Sequence, residues 1–458
     1  MIPFGLLGVF CDHLEIRITG LSKEGFSFRV PEKIEKAACL EICFFDFSAD
    51  CYRKVQLAEK EREMKLTEET PFFFIYSVWT KNGEYREQVK RLVTDYDNYI
   101  SLKLAGDDAY LSEKMVGYPA ELDEVYAESF EEQKKEWFSC VGDGIQECRN
   151  TWEHKKWNIT DFPEFELAIT IDRPELYYDF LQKDWTRFCH DYWKNNFLEH
   201  HTLSQKRVTR IYIGNQFCHN LFPRKELLFQ VLEKALENNL AVTLAFSYIR
   251  NHLLEEIDEL LQELEVWCQS REKEAGKDQE EIIVNDWAMP ILLQGKPHLK
   301  PVLGVLLNKR RKDVRLPYKH GIGNHVDSLA ENNLNCGFYQ DYLKNTFDIQ
   351  RFEFESCGYK VTIPDGHHSL HLPFFQTNTS QYCTLYAVCR YGDRGKQRLP
   401  ENCPRYCNKK VFLYPKHLKM VGRYNSLFGY DEKILWDEKQ LQDYLEQGIE
   451  RIVVNVSL

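Results

Sequence analysis

Four cysteines carry the strongest chemical signal in the chain. Cys383, Cys389, Cys403 and Cys407 lie within QYCTLYAVCRYGDRGKQRLPENCPRYC at spacing C-x5-C-x13-C-x3-C. A cubane iron–sulfur cluster needs thiolates that converge from different directions, so loops rather than one helix should supply them. Gly392, Gly395 and Pro404 break the segment accordingly, and Arg390, Arg394 and Arg405 are cations able to favour the thiolate form. Zinc is the competing metal. Structural zinc sites pair cysteines across two to four residues, which Cys403 and Cys407 satisfy and the Cys383–Cys389 gap does not. Four thiols without a ligand are the third reading, and the other cysteines of the fifteen are expected to be buried and inert.

Loops hold a site only where regular elements fix them, and the residues after Phe165 supply such elements. FELAITI (Phe165–Ile171), VTRIYI (Val208–Ile213) and AVTLAFSY (Ala241–Tyr248) read as strands. EIIV (Glu281–Val284) and PVLGVLL (Pro301–Leu307) are apolar runs of the kind buried on both faces of a parallel sheet. Gln350–Phe354, Ser369–Phe375 and Arg451–Val456 are three further candidates. Lys225–Glu237 reads as a helix, and a longer one carries Leu253, Leu254, Ile257, Leu260, Leu261 and Leu264 on one face. This alternation over residues 161–458 predicts a β/α barrel of the TIM type.

In such a barrel the chemistry lies at the C-terminal ends of the strands. Asn285 and Asp286 follow EIIV and suit substrate positioning or proton transfer, or equally a helix N-cap. With Asn308 they are the candidate catalytic residues. Lys309, Arg310 and Arg311 follow PVLGVLL and suit a dicarboxylate or phosphate, or a solvated basic loop. Gly214 and Asn215, after RIYI, complete the substrate-binding candidates. Asp172, Arg173 and Glu175 follow the first strand and either line the same mouth or start a helix at Pro174. His367, His368 and His371 read as surface or core residues rather than metal ligands. No G-x-S-x-G, H-E-x-x-H or Walker sequence is present.

The first 121 residues read differently. LEIRIT (Leu14–Thr19), GFSFRV (Gly25–Val30), CLEICFFDF (Cys39–Phe47) and PFFFIYSVW (Pro71–Trp79) predict short strands in a small β-barrel. Residues 122–160 are charged, with aromatic side chains at helical intervals, and read as a helical linker. The expected fold is therefore multidomain, divided as 1–121, 122–160 and 161–458.

Composition sets outer bounds. The chain has 458 residues, 43% of them hydrophobic and 28% charged, and a net charge of −12. That balance argues against a general nucleic-acid-coating protein, while leaving room for one local basic patch. No apolar run approaches the ~20 residues of a membrane span. MIPFGLLGVFCDHLEIR has no basic region ahead of its short apolar stretch, so no signal peptide is expected. Fifteen cysteines without an export signal then point to a reducing cytoplasm rather than a disulfide framework.

RIYIGNQF (Arg210–Phe217), IIVNDWAM (Ile282–Met289), VLGVLLNKRRKDVR (Val302–Arg315) and the four-cysteine segment 383–407 occur in an order that resembles the collagenase-like peptidase family of unknown catalytic type. This is peptidase family U32, which includes oxygen-independent iron–sulfur hydroxylases. The likeness runs through most of residues 165–430. It implies a barrel-like catalytic domain and a [4Fe–4S] cluster on the four cysteines. It further implies prephenate as co-substrate and an RNA base or quinone precursor as acceptor. The older family name implies a peptidase instead. HHSLH (His367–His371) departs from the family's pattern, so the acceptor is not carried over. ITGLSKEGFSFRV (Ile18–Val30) is similar to the Ser-x-x-Gly segment of PilZ domains, which bind cyclic di-GMP. Ser22 and Gly25 match it. Gly20 stands where Asp or Asn is expected, and Arg17 stands without the second arginine that a bidentate phosphate grip requires. The resemblance thus implies a PilZ-like fold without the nucleotide. A third function class is a non-enzymatic, nucleotide-sensing protein.

Overall fold

Apolar–polar alternation builds the N-terminal unit: in GFSFRV, Phe26, Phe28 and Val30 are buried while Ser27 and Arg29 are half-buried on the opposite face. The structure is a computed structural model that describes residues 6–12, 14–34, 39–46, 51–70, 72–105, 137, 162–275, 280–312, 330–392, 396, 398–400, 402–413, 419–435 and 437–456. The expected linker, 122–160, lies outside them except for Trp137. The chain divides into two units, Met1–Val125 with Arg315–Ala330 and Tyr126–Val314 with Glu331–Leu458.

In the first unit β1 (Leu7–Cys11), β2 (Leu14–Ser22), β3 (Gly25–Val30), β4 (Leu40–Asp46), β5 (Cys51–Leu57), β6 (Arg62–Glu69) and β7 (Phe74–Thr80) form an antiparallel sheet of order β5-β4-β1-β2-β3-β7-β6. The helix Gly83–Ala105 places Tyr85, Val89 and Leu92 in one core with Val9, Ile42, Phe44 and Val55. The Ser-x-x-Gly segment has a local job here. Ser22 Oγ donates to the Gly25 carbonyl at 3.2 Å and accepts from the Glu24 amide at 3.2 Å, closing the β2–β3 turn. A Cβ on Gly25 would lie 1.9 Å from the Val78 carbonyl of β7, so the approach of that strand requires glycine.

The second unit holds a ring of parallel strands: β8 (Glu166–Ile171), β9 (Arg210–Gly214), β10 (Ala241–Ala245), β11 (Glu280–Val284), β12 (Leu299–Leu303), β13 (Glu353–Glu355) and β14 (His368–Leu372). The chain then makes a four-stranded antiparallel sheet from β15 (Phe374–Thr379), β16 (Phe412–Leu413), β17 (Met420–Arg423) and β18 (Ser426–Tyr430), ordered β15-β18-β17-β16. It returns as β19 (Ile449–Val454), which seats itself between β8 and β14. The ring order β12-β11-β10-β9-β8-β19-β14-β13 follows the chain round, and a parallel bridge from Leu303 to Phe352 nearly closes it. This is a TIM-like barrel. All eight strands overlap sequence-predicted runs, β12 and β13 only in part, whereas a separate inserted sheet was not expected.

Outward-facing Leu167, Ile169, Ile211 and Ile213 are fully buried. The interior is more polar. Three strands separate β19 from β11 in the ring, so contacts between them cross the barrel. Arg451 on β19 makes a bidentate pair with Glu281 at 2.6 and 3.0 Å and reaches Glu166 at 2.6 Å. Arg210 adds bonds to Glu166 at 2.9 Å and Glu281 at 3.4 Å. Burial pushes the Glu281 carboxyl up, but the Arg451 and Arg210 guanidiniums outweigh it and hold it down at about 2.

Candidate functional site

At the C-terminal ends of these strands lies a cavity of about 30 Å³, walled by Asp172, Gly214, Asn215, Glu355, His371 and Asn455 among others. Each wall residue is placed by its strand. Gly214 ends β9 at φ +108, where a Cβ would meet the Ala245 carbonyl at 2.6 Å. Asn215 then accepts from the amides of Phe217 and Cys218 at 2.9 Å each and donates to the Asp172 carbonyl at 3.3 Å. These bonds fix the loop after β9 against the end of β8. His371 Nε2 meets Glu353 Oε2 at 2.5 Å, and Tyr212 donates to the same carboxylate at 3.0 Å. Lys312 is buried against Glu355 at 2.5 Å. Burial, reinforced by Arg310, holds the Lys312 ammonium below its usual range against the opposing pull of Glu355. Asp172 is 9% exposed; its Oδ2 lies 3.5 Å from the Tyr424 hydroxyl, and its buried Oδ1 has no partner among the described residues.

The other sequence-predicted residues serve mainly the frame. Asn285 is buried, donates to the Phe246 carbonyl at 2.7 Å and accepts from the Leu306 amide at 3.1 Å. It thereby ties the loops after β10, β11 and β12 together, and a Cβ on Gly304 would strike its Oδ1 at 2.1 Å. Asp286 accepts from the amides of Ala288 and Met289 at 3.0 Å each and from the Ile249 amide, bracing the turn that leads into the short helix Met289–Leu292, whose N-cap position is Ala288. Asn308 donates to the Glu353 carbonyl at 3.2 Å, and its buried Oδ1 is unpartnered. Arg310 turns inward to Cys357 Sγ at 2.7 Å and the Glu355 carbonyl at 2.5 Å. The Arg311 carbonyl accepts from Tyr359, and Lys309 is exposed. The three histidines diverge: His367 pairs with Glu450, His368 stacks on Phe352 at 4.8 Å, and His371 faces Glu353.

A second, larger cavity of about 1030 Å³ opens beside the loops after β9 and β10. One wall carries His219, Asn220 and Phe222, and another Asn402, Cys403 and Arg405. Cys218, immediately before this wall, therefore comes close to the four-cysteine segment. Burial pushes the Cys218 thiol up to about 11, with Cys403 adding to it. Cys383 caps the helix Thr384–Tyr391, accepting the Tyr386 amide at 3.3 Å and donating to the Tyr424 carbonyl at 2.9 Å. Burial raises its thiol, and Cys218, Cys407 and Cys403 raise it further. Burial likewise pushes Cys407 up to about 12, opposed by Arg423 and helped by Cys218 and Cys403. Cys389 stands apart on the helix, raised by burial with Lys410 opposing and no thiol involved. Cys218, Cys383, Cys403 and Cys407 thus act electrostatically on one another, and Cys389 takes no part in that set. Arg405 lines the cavity, while Arg394 and Gly395 lie outside the described residues.

Among the described residues no three His, Cys, Asp or Glu side chains close on one point as a mononuclear metal site requires. Sequence reading missed Cys218, Lys312 and the Glu353–His371 pair. Cys218 had one usable signal, its place just beyond a barrel strand. Comparison with family models, curated proteins and solved structures finds no match to this chain.

Proposed function

We propose that the chain is an iron–sulfur barrel enzyme, with an oxygen-independent hydroxylation as its reaction and the large cavity as its substrate site. The supporting observation is that Cys403 lines the same cavity as His219, Asn220 and Phe222 of the loop after β9, the loop that also carries Cys218. Cys218, Cys383, Cys403 and Cys407 would hold a [4Fe–4S] cluster. The donor set fits, being four free thiols, three half-buried and one buried, which a cluster's positive charge would hold as thiolates. Bound there by four thiolates, the cluster would supply electrons to the reaction. The chain's own residues would do the rest. Arg250 and Arg405 on the cavity wall suit an anionic co-substrate such as prephenate. Phe222 and Phe246, stacked at 4.3 Å, give an apolar wall for a flat acceptor, an RNA base or quinone precursor.

The peptidase reading of the family name gains less. The buried thiols are held in the protonated form, which is a poor nucleophile. A PilZ-like nucleotide site on the N-terminal sheet also gains less, because Ser22 is spent on its own turn. The test is anaerobic purification followed by iron, sulfide and visible absorption measurements. Wild type and Cys389→Ser should be coloured and carry about four irons. Cys218→Ser, Cys383→Ser, Cys403→Ser and Cys407→Ser should each lose most of both. A colourless, iron-free wild type that is folded would overturn the reading, and loss in Cys389→Ser but not Cys218→Ser would overturn the ligand set.

A further inference from the structure

We infer that the small cavity at the barrel mouth is a proton-transfer subsite. In it Asp172 accepts a hydrogen bond from a hydroxyl or ammonium head group, and His371, held by Glu353, takes and returns a proton. The inference rests on the barrel's own geometry and stands with or without a cluster on the cysteines.

Three observations carry it. Asp172 Oδ1 is a buried carboxylate oxygen on the cavity wall with no donor bonded to it. A carboxylate is an acceptor only, so what completes it must bring an N–H or O–H. Anionic head groups are disfavoured, since Glu355 is a second carboxylate on the wall and Glu353 stands directly behind His371. The facing cations are already committed: Lys312 is 2.5 Å from Glu355, and Arg451 is paired with Glu281 below Tyr212.

The second observation is the chain Tyr212–Glu353–His371. Tyr212 on β9 reaches Glu353 on β13 at 3.0 Å, and Glu353 fixes the His371 ring through Nε2 at 2.5 Å. An imidazole oriented by a buried carboxylate has one nitrogen committed, and Nδ1 is then the proton-carrying atom. In the forward step an O–H or N–H bond of the head group breaks and the Nδ1–H bond forms. The electron pair stays on the head group's oxygen or nitrogen, and the imidazolium is compensated by Glu353. In the reverse step Nδ1 returns the proton to product or to water. No electron acceptor is needed.

The third observation is size. A cavity of about 30 Å³ admits one or two small polar atoms and excludes a ring, so it holds the tip of a molecule whose body lies outside.

The test uses the full chain labelled with 15N-histidine, with ring-nitrogen spectra recorded during titration with ethylene glycol, methylamine and acetate. The His371 signals are assigned by their loss in His371→Gln, or by their displacement in Glu353→Gln if that variant does not fold. We expect saturable shifts with at least one donor probe, none with acetate, and at least tenfold weaker binding in Asp172→Asn. A larger response to glycol assigns a hydroxyl head and one to methylamine an ammonium head. Glu353→Gln should change the balance of ring tautomers. Silent His371 signals with both donors, an equal response to acetate, or unchanged affinity in a folded Asp172→Asn would overturn the inference. Iron content in Asp172→Asn stays at the wild-type level, which separates this outcome from that of the cluster reading.

Discussion

The two ends of the barrel solve opposite problems. At the N-terminal end Arg451, Arg210, Glu166 and Glu281 spend their donors and acceptors largely on one another, across strands that are not neighbours. At the C-terminal end Asp172 and Asn308 keep buried oxygens without partners, and Cys218, Cys383 and Cys407 are held as neutral thiols. Burying a charge costs several kcal/mol unless paired, and an unmet polar atom costs roughly 1–3 kcal/mol. Arg351 Nη1 and His368 Nε2, at the starts of β13 and β14, also lack partners among the described residues, so the ends differ in the kind of atom left unmet: nitrogens below, carboxylate and amide oxygens and neutral thiols at the mouth.

The comparison is broken most directly by removing the central cation. Arg451→Met leaves the buried Glu281 with Arg210 and a longer contact to Arg351 at 3.7 Å, and the half-buried Glu166 with Arg210, while Arg451 itself is 2% exposed. Stability in urea should fall by about 3–5 kcal/mol, the range for breaking a buried pair. A loss under about 1 kcal/mol would mean that water or local rearrangement replaces the pair, and the paired end would not be the stabilising one.

Acid sharpens the same contrast. Burial lowers His201, His219 and His368 from 6.5 to about 4, and the paired Glu281 lies at about 2 against 4.5. For both kinds of group the unfolded chain takes up the proton first. Their contribution is therefore fully present above the unfolded value and is lost as pH falls toward the folded one. The histidines should erode stability between about pH 6.5 and 4, and Glu281 between about 4.5 and 2. Within the first window His368→Phe should reduce the slope of stability against pH by up to about 1.4 kcal/mol per unit, one proton's share. Urea midpoints measured at half-unit steps would show it. An unchanged slope would place the acid sensitivity elsewhere.

How much of this could be read from residues alone follows from distance along the chain. Most of the barrel strands were legible because they are short runs of β-branched and aliphatic side chains whose outward face is dry, whereas β13 (EFE) and β14 (HSLHL) carry that signal weakly. The inserted sheet was not legible: β16 and β17 are very short, and Lys419 and Tyr424, with φ of 48 and 57, turn the chain in ways their side chains do not announce. Gly214, Asn215 and Asp172 line the small cavity, and strand ends were the signal that pointed to them. Direction was harder. Lys309–Arg311 read as a basic loop facing solvent or an anion, yet Arg310 and the neighbouring Lys312 turn inward to the end of β13. Cys218 joins cysteines far along the chain, an association created only when β9 and the inserted sheet are brought to one end of the ring.

The smallest effect on stability should come from the residue argued to matter most for binding. Asp172→Asn replaces a carboxylate whose Oδ1 has no donor with an amide of the same shape, keeping an acceptor within reach of the Tyr424 hydroxyl. Nothing paired is broken, and a charge is removed from a buried position. The urea midpoint should stay within about 0.5 kcal/mol of wild type or rise slightly, as happens where a protein carries strain for function. Arg451→Met and Asp172→Asn then differ by several kcal/mol, although both remove one buried charge from the same barrel. A loss above about 1 kcal/mol in Asp172→Asn would mean that the carboxylate is a structural acceptor. The mouth would then be another paired end of the barrel, and the asymmetry would collapse.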